Sequence, residues 1–220
     1  MKVFFIDAKA KVNIQPLLKK IKIKGKIGLI AIIQYADLLK EIHKFLPNSE
    51  ILGQVVGCNV VPLNKKPVDA YLYIGVGKFH PLYAARKTKK PPYILNPDTQ
   101  EFSKIKESEI IQYERQKLAR IKKFLAADKL GILVSTKPGQ ENIALAMNLQ
   151  KSLKQESFIF ATDTLDLNEL ENFPDIQMWI NTSCSRIESQ NIINFEEIPK
   201  EYIQAKTNVK SFRPNLIQEK

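Results

Sequence analysis

The two cysteines of this 220-residue chain, Cys58 and Cys184, are the side chains best suited to ligate a metal. Cys58 follows Gly53 and Gly57, which allow the tight turn that would leave a thiol facing a cleft. Cys184 lies between two serines and two residues before Arg186, in a polar setting that does not suit a buried apolar side chain. The alternative for either cysteine is the role of a small buried hydrophobic residue. Because two thiolates cannot complete a zinc or iron–sulfur site by themselves, such a site would need further ligands.

Two other segments carry candidates for binding a small molecule. His80, within residues 75–81, is a candidate ligand, acid–base group or substrate-orienting group; the alternative is that it bonds its own loop while Pro81 begins a helix. This run lacks the third glycine of a dinucleotide-binding fingerprint. Residues 135–140, which end at Gln140, open a predicted helix whose backbone N–H groups would hold a carboxylate or phosphate, with a generic turn as the alternative.

The hydrophobic pattern predicts that these segments follow the strands of two α/β units. Continuous apolar runs are typical of parallel strands buried on both faces, and apolar residues at helical spacing indicate the helices between them. The predicted strands cover residues 3–6, 27–33, 50–56, 70–74 and 93–95, then 130–134, 158–161 and 176–180. The main helices cover 38–46, 107–127 and 142–153, and a short helix is predicted around Leu167. The sequence therefore predicts an α/β protein of two Rossmann-like, three-layer units with parallel sheets. All the candidate side chains fall at the carboxyl ends of strands, where such sheets bind ligands.

Composition limits the class of protein further. Lys+Arg 34 against Asp+Glu 23 gives a formal net charge of +11, which predicts attraction to nucleic acid, ribonucleoprotein or an acidic protein, with a lysine-coated surface as the alternative. The aromatic residues fall mostly in predicted strands and helices, so no direct nucleic-acid role is expected. Two cysteines exclude a disulfide scaffold, and no apolar run approaches the ~20 residues of a membrane helix. The sequence is therefore expected to be that of a cytoplasmic protein with no membrane role.

Four segments of the chain, taken in order, resemble one known family. They are residues 52–58, 69–81, 135–140 and 179–187, which read LGQVVGC, DAYLYIGVGKFHP, STKPGQ and WINTSCSRI. The set resembles the archaeal and eukaryotic diphthamide synthase family, the enzymes of the first step of diphthamide biosynthesis. The resemblance extends from Val3 to about Ile193, and four motifs in order are far more specific than any one of them.

The resemblance implies a radical enzyme of three similar α/β domains in a pseudo-threefold arrangement around a cleft. Each domain would supply one cysteine to a [4Fe–4S] cluster, which leaves one iron open to S-adenosylmethionine. Reductive cleavage would give a 3-amino-3-carboxypropyl radical that adds to a histidine of translation elongation factor 2. Cys58 and Cys184 correspond to the second and third family cysteines. Gln140 and Arg186 fall where groups could hold the methionine carboxylate and amine, and His80 is a further candidate for that pocket.

The resemblance also implies a domain order and partners. Residues 1–26 would hold the last strand of a missing first domain and a basic linker, 27–105 the α/β domain with Cys58, 106–194 the long helix and the α/β domain with Cys184, and 195–220 a tail. A separate chain would supply the first domain and the remaining cysteine, and a dimer is expected. The competing interpretation is a non-catalytic scaffold subunit that binds a cluster-bearing partner and elongation factor 2.

Overall fold

A computed structural model of the protein describes residues 6–55, 66–138 and 140–203. The chain divides into two compact units, Met1–Gln112 and Tyr113–Lys220. The boundary falls inside the long helix α4 (Glu107–Ala126), which the sequence predicts over residues 107–127. Each unit contains helices and a sheet with parallel strands, so the predicted α/β class is confirmed.

The first unit is built on a five-stranded sheet. Its elements are α1 (Gln15–Leu18), β1 (Ile27–Ala31), α2 (Leu38–Phe45), β2 (Ser49–Gln54), β3 (Ala70–Ile74), α3 (Phe79–Thr88), β4 (Pro92–Asn96) and β5 (Glu101–Lys104). The strand order is β2-β1-β3-β4-β5, and every pair is parallel except the antiparallel pair β4 and β5. The parallel strands therefore end at a common edge, as the sequence predicts.

Continuous apolar runs place β1 and β3 at the centre of this sheet, where every residue of both strands is buried. Successive side chains point to opposite faces. Leu29 and Leu72 pack on the face covered by α1 and α2, whereas Ile30 and Tyr73 pack on the other face with Ala84 of α3. The sheet is thus covered on both sides, which gives the first unit three layers.

The lysine-rich segment before β1 contributes more to the core than its composition suggests. Ile14, Leu17 and Leu18 are buried in the first unit's core, and Ile21 and Ile23 pack against it while the intervening lysines are exposed. The composition predicts a basic linker here, because alternating lysines obscure the apolar positions that the core contains. The predicted strand over residues 3–6 lies mostly outside the described residues.

The second unit is built on a four-stranded sheet that is parallel throughout. Besides the later part of α4 it contains β6 (Lys129–Ser135), α5 (Ile143–Ser152), β7 (Glu156–Thr162), β8 (Met178–Asn181) and β9 (Ile192–Asn194), in the sheet order β7-β6-β8-β9. Phe124 of α4 and Leu149 of α5 are buried in the core on one face, and Trp179 is buried on the other. A side chain at Gly131 would place its Cβ 2.2 Å from the Trp179 ring, so the glycine makes room for the indole.

Three short elements of the structure, α1, β5 and β9, are not predicted from the sequence. Each has three or four residues, too few for a hydrophobic period to show. A helix predicted around Leu167 corresponds to a single 3-10 turn at Asn168–Asn172. Among the described residues, no helix is long and apolar enough to cross a membrane.

Tyr35, at the end of the turn after β1, is expected to titrate unusually late. Its hydroxyl donates to Asp98 Oδ1 at 2.5 Å; burial, together with this hydrogen bond and the carboxylate charge, raises the pKa of Tyr35 to about 12. An unfolded tyrosine has a pKa of about 10. The unfolded chain therefore loses this proton first as pH rises from 10 to 12, so the contribution of Tyr35 to stability is complete below pH 10 and is lost through that window.

The measurement is the ultraviolet tyrosinate titration of the wild type minus that of Tyr35→Phe. We expect a difference curve with its midpoint near 12 and a smaller fall in stability of Tyr35→Phe above pH 10. The phenylalanine variant keeps the ring and removes only the titrating group. A difference midpoint at the ordinary value of about 10 would contradict the expectation.

Candidate functional site

In the second unit, the loops that follow β6 and β8 leave the same edge of the sheet. The two strands are parallel neighbours, with Leu133 paired to Asn181. The loop after β6 carries Gln140, and the loop after β8 carries Cys184 and Arg186. Two of the predicted segments therefore begin side by side at the carboxyl edge of one sheet.

The segment 181–185, which we call the cysteine loop, is held by hydrogen bonds along its length. Asn181 Nδ2 donates to the carbonyl oxygen of Cys184 at 2.8 Å, and Asn181 Oδ1 accepts from the backbone N–H of Ser183 at 2.9 Å. The Thr182 hydroxyl donates to the carbonyl of Leu133 at 2.8 Å. These bonds fix the backbone on both sides of Cys184, whose thiol is free of a disulfide and whose side chain is half-buried.

The cysteine loop is also bonded directly to the loop after β6. Ser183 Oγ accepts from the backbone N–H of Ser135 at 2.8 Å, and Asn142 Nδ2 donates to the carbonyl of Thr182 at 2.8 Å. Half-buried Gln140 lies between these two anchor points in sequence, while Arg186 follows the cysteine loop and is exposed. The structure thus brings the Gln140 and Cys184 segments into one hydrogen-bonded pair of loops. Gly139 lies outside the described residues.

His80 lies in the first unit, in the first turn of α3 beyond β3. The loop before it needs glycine at Gly77, whose φ is +78°. His80 is buried, with Nδ1 3.3 Å from the hydroxyl of Tyr73; that hydroxyl donates to the Val76 carbonyl at 3.1 Å. The Phe79 ring stands edge-on at a centroid distance of 5.3 Å from the imidazole. The local alternative differs in detail from the structure, because His80 contacts Tyr73 of β3 and the helix begins at Phe79, two residues before Pro81. A role of His80 in substrate binding stays a prediction.

The described residues supply one candidate thiol ligand and no complete metal site. Cys58, the other predicted ligand, lies outside the described residues. Within residues 6–55, 66–138 and 140–203, no group of three or more His, Cys, Asp or Glu side chains could hold a metal ion. A free, half-exposed thiol on a fixed backbone is nevertheless what one ligand of an iron–sulfur cluster requires. Cys184 therefore fits as one ligand of such a cluster, and residues outside this loop would have to supply the other ligands.

The polar residues that hold the cysteine loop are not predicted from the sequence. Asn181, Ser183 and Asn142 are assigned no role there, although each bonds the loop in the structure. The available signal is an asparagine at the end of an apolar strand, since Asn side chains bond the backbone two residues on. The Asn181 bond to the Ser183 N–H is of this kind.

Comparison with known proteins gives the same family as the motifs. The chain is 32% identical over 204 residues to a 2-(3-amino-3-carboxypropyl)histidine synthase of Pyrococcus horikoshii, covering 83% of this chain and 58% of that protein. It is 29% identical over 189 residues to the protein of the same name in Methanocaldococcus jannaschii, covering 84% and 52%. The chain thus spans somewhat more than half the length of these two relatives.

The fold also matches a solved structure. The crystal structure of Dph2 from Pyrococcus horikoshii with a 4Fe-4S cluster superposes with a TM-score of 0.76 and 29% identity, over 86% of this chain and 62% of that one. The family model described as "Putative diphthamide synthesis protein" matches residues 1–198. With nine-tenths of its length inside that family, and with the fold of Dph2, the chain belongs to the diphthamide synthesis proteins.

Proposed function

We propose that this chain takes part in the transfer of the 3-amino-3-carboxypropyl group of S-adenosylmethionine to a histidine of translation elongation factor 2. The observation that carries the proposal is the fixed, half-exposed Cys184 thiol at the carboxyl edge of a sheet, in a fold that matches a protein with a 4Fe-4S cluster. Relatives named 2-(3-amino-3-carboxypropyl)histidine synthase support the same transferase chemistry.

In this proposal, Cys58 and Cys184 each give a thiolate to a [4Fe–4S] cluster. When bound, and reduced by an external electron donor, the cluster would supply the one electron that breaks a C–S bond of S-adenosylmethionine, which would release the 3-amino-3-carboxypropyl group as a radical and methylthioadenosine as the leaving group. The contribution of the chain is geometric. The bonds from Asn181 and Thr182 hold the backbone at Cys184 before iron binds, so that only rotation about its Cα–Cβ bond is left to the thiol.

Two side chains near Cys184 in the sequence or on the bonded loop could hold the methionine part of the substrate. Arg186 is exposed two residues beyond Cys184, and a guanidinium binds a carboxylate through two parallel N–H groups. The Gln140 side chain, on the loop bonded to the cysteine loop, offers both an amide donor and an acceptor for an amine. His80, which is buried beside Tyr73 in the first unit, is the remaining candidate for substrate binding.

The two cysteines of the chain are fewer than a cluster requires, so the remaining ligand must come from outside these 220 residues. We propose that a separate chain with a further α/β domain supplies that cysteine, and that the active form is a dimer. The net charge of +11 is compatible with docking to an acidic surface of the elongation factor.

The test is anaerobic iron and sulfide analysis, with an absorption spectrum, of this chain alone and with the chain that supplies the further domain. Each sample is then given elongation factor 2 and S-adenosylmethionine radiolabelled in its aminocarboxypropyl group. We expect a full cluster and label transfer only from the combined chains. Transfer by the lone chain would overturn the need for a second chain, and its absence from both samples would overturn the enzymatic proposal.

The competing function is a non-catalytic scaffold that holds a cluster-bearing partner and the elongation factor. The shortage of cysteines favours it, because a partner with its own complete ligand set would need none from this chain. The two proposals differ in whether the cysteines of this chain are needed for transfer.

A further inference from the structure

We infer that Asn194 is a positioning residue for Cys184 and fixes the cysteine loop from a strand end outside the loop itself. The inference rests on the proposed function only in taking Cys184 as an iron ligand. Asn194 ends β9 and is the neighbour of Asn181 at the end of β8 in the same parallel sheet. Both side chains are buried, at 5% and 3% exposure, beneath the loop they contact.

Every polar atom of the two amides is used in holding the loop or its base. Asn181 Nδ2 divides its two hydrogens between the Cys184 carbonyl at 2.8 Å and Asn194 Oδ1 at 2.7 Å. Asn194 Nδ2 donates to the carbonyl of Ser185 at 3.2 Å. The carbonyls of Cys184 and Ser185, which belong to two successive peptide groups, therefore accept from this amide pair, one from each side chain. A displacement of Asn194 would leave buried donors unsatisfied, which carries a free-energy cost.

Asn194 is itself held by the turn that follows it. Its side chain accepts from the backbone N–H of Glu197, and the Glu197 carboxylate accepts from the N–H of Asn194, which is a capping box. Glu197 is in turn bound by Arg120 of α4. Arg120 Nε donates to Glu197 Oε2 at 3.1 Å, and Arg120 Nη2 donates to Oε1 at 2.9 Å. The Tyr113 hydroxyl donates to the same carboxylate at 3.1 Å. The hydrogen-bonded path thus runs from α4 to the backbone of Cys184.

This arrangement suits metal binding more than it suits general stability. A single cap would be satisfied by serine or aspartate as well as by asparagine. Only an amide at position 194 can accept from Asn181, accept from its own turn and donate to Ser185 at once. Such outer partners of a ligating residue are typically worth about 10–100-fold in metal affinity or activity.

The test replaces Asn194 by serine, which keeps a capping oxygen but is too short to reach the loop, and uses Asn191→Ser as the matched control. Asn191 is exposed, three residues earlier, and accepts from Lys123 on the surface. In a Cys58→Ser background, without iron, we measure the rate at which iodoacetamide alkylates Cys184. At a temperature well below the melting transition of both variants, we expect Asn194→Ser to raise that rate severalfold, because the loop loses its bonds to position 194, and Asn191→Ser to leave it unchanged. Equal rates in the two variants would overturn the inference.

Amide hydrogen exchange of the wild-type chain provides a second measurement, independent of whether Asn194→Ser folds. We expect the backbone N–H of Ser183 and the loop around it to be protected as strongly as β8, and exchange at the rate of an open loop would overturn the inference. The outcome is separable from that of the proposed function. A faster alkylation with no cluster in the combined chains would support the positioning role and reject the cluster, whereas a loaded cluster with equal alkylation rates would do the reverse.

Discussion

Replacing Cys184 by serine is expected to remove one cluster ligand and to lower aminocarboxypropyl transfer by more than the ~10–100-fold that a lost outer partner costs. Iron prefers the soft thiolate, and a serine hydroxyl at the same position stays protonated near neutral pH. The loop should remain intact, because its hydrogen bonds involve the backbone of Cys184 and not the sulfur. Iron and sulfide per chain, the absorption spectrum and label transfer to elongation factor 2 are the measurements, made with the domain-supplying chain present.

The controls for this prediction are Cys58→Ser and Ser189→Ala. Cys58→Ser should cause a loss of the same size, because each thiolate is proposed as a ligand of the same cluster. Ser189 is exposed, five residues beyond Cys184, and its alanine variant should keep both iron and activity. If Cys184→Ser and Cys58→Ser both retain full transfer, the chain is a scaffold rather than part of the catalytic site.

Removing the Glu197 carboxylate is expected to cause a large loss of stability. Arg120 and Glu197 form an ion pair in which each side chain is only 6% exposed. Burial lowers the pKa of Arg120, but the hydrogen bond and charge of Glu197 outweigh it and raise the pKa, so the guanidinium is charged. Glu197→Leu leaves that charge buried without its partner, which costs about 3–5 kcal/mol.

Denaturant unfolding followed by tryptophan fluorescence measures this cost, because Trp179 is the single tryptophan and is buried in the second unit. The double variant Arg120→Met with Glu197→Leu should regain the part of the loss that comes from the unpaired charge, since replacing a whole buried pair by apolar side chains is often neutral or stabilising. The part that comes from the capping-box bond of the Asn194 N–H should remain lost. Glu156→Gln, which removes an exposed pair with Lys129 in the same unit, is the matched control and should change stability by about 1 kcal/mol at most. A Glu197→Leu loss no larger than that control would show that the pair contributes little.

The central strands and the candidate residues could be predicted from the sequence. Apolar runs place β1, β3 and β6 in the interior of their sheets, because only residues covered on both faces can be hydrophobic without interruption. Parallel strands then place the segments after them at one edge. The order of four short motifs was enough to indicate the family, which the match over residues 1–198 confirms.

The short elements and the buried lysine-flanked residues could not be predicted in this way. Ile14 and Leu17 lie in a stretch whose lysines suggest a solvated linker, yet the structure buries both. The strand β9 has three residues and gains its hydrogen bonds only from β8 beside it. A strand that forms because a neighbouring strand pairs with it need not show a periodic hydrophobic pattern in its own sequence.

The sequence by itself determined the chemistry available to this protein: two thiols, a glutamine, an arginine and a histidine at the ends of buried strands. Only the tertiary structure decided how firmly one of those thiols is held. Asn194 reaches Asn181 across 13 positions of the chain, and Arg120 reaches Glu197 across 77. Hydrogen bonds between residues so far apart depend on which strands pair and where a helix packs, and those arrangements are set by the burial of the whole core rather than by the local sequence around Cys184.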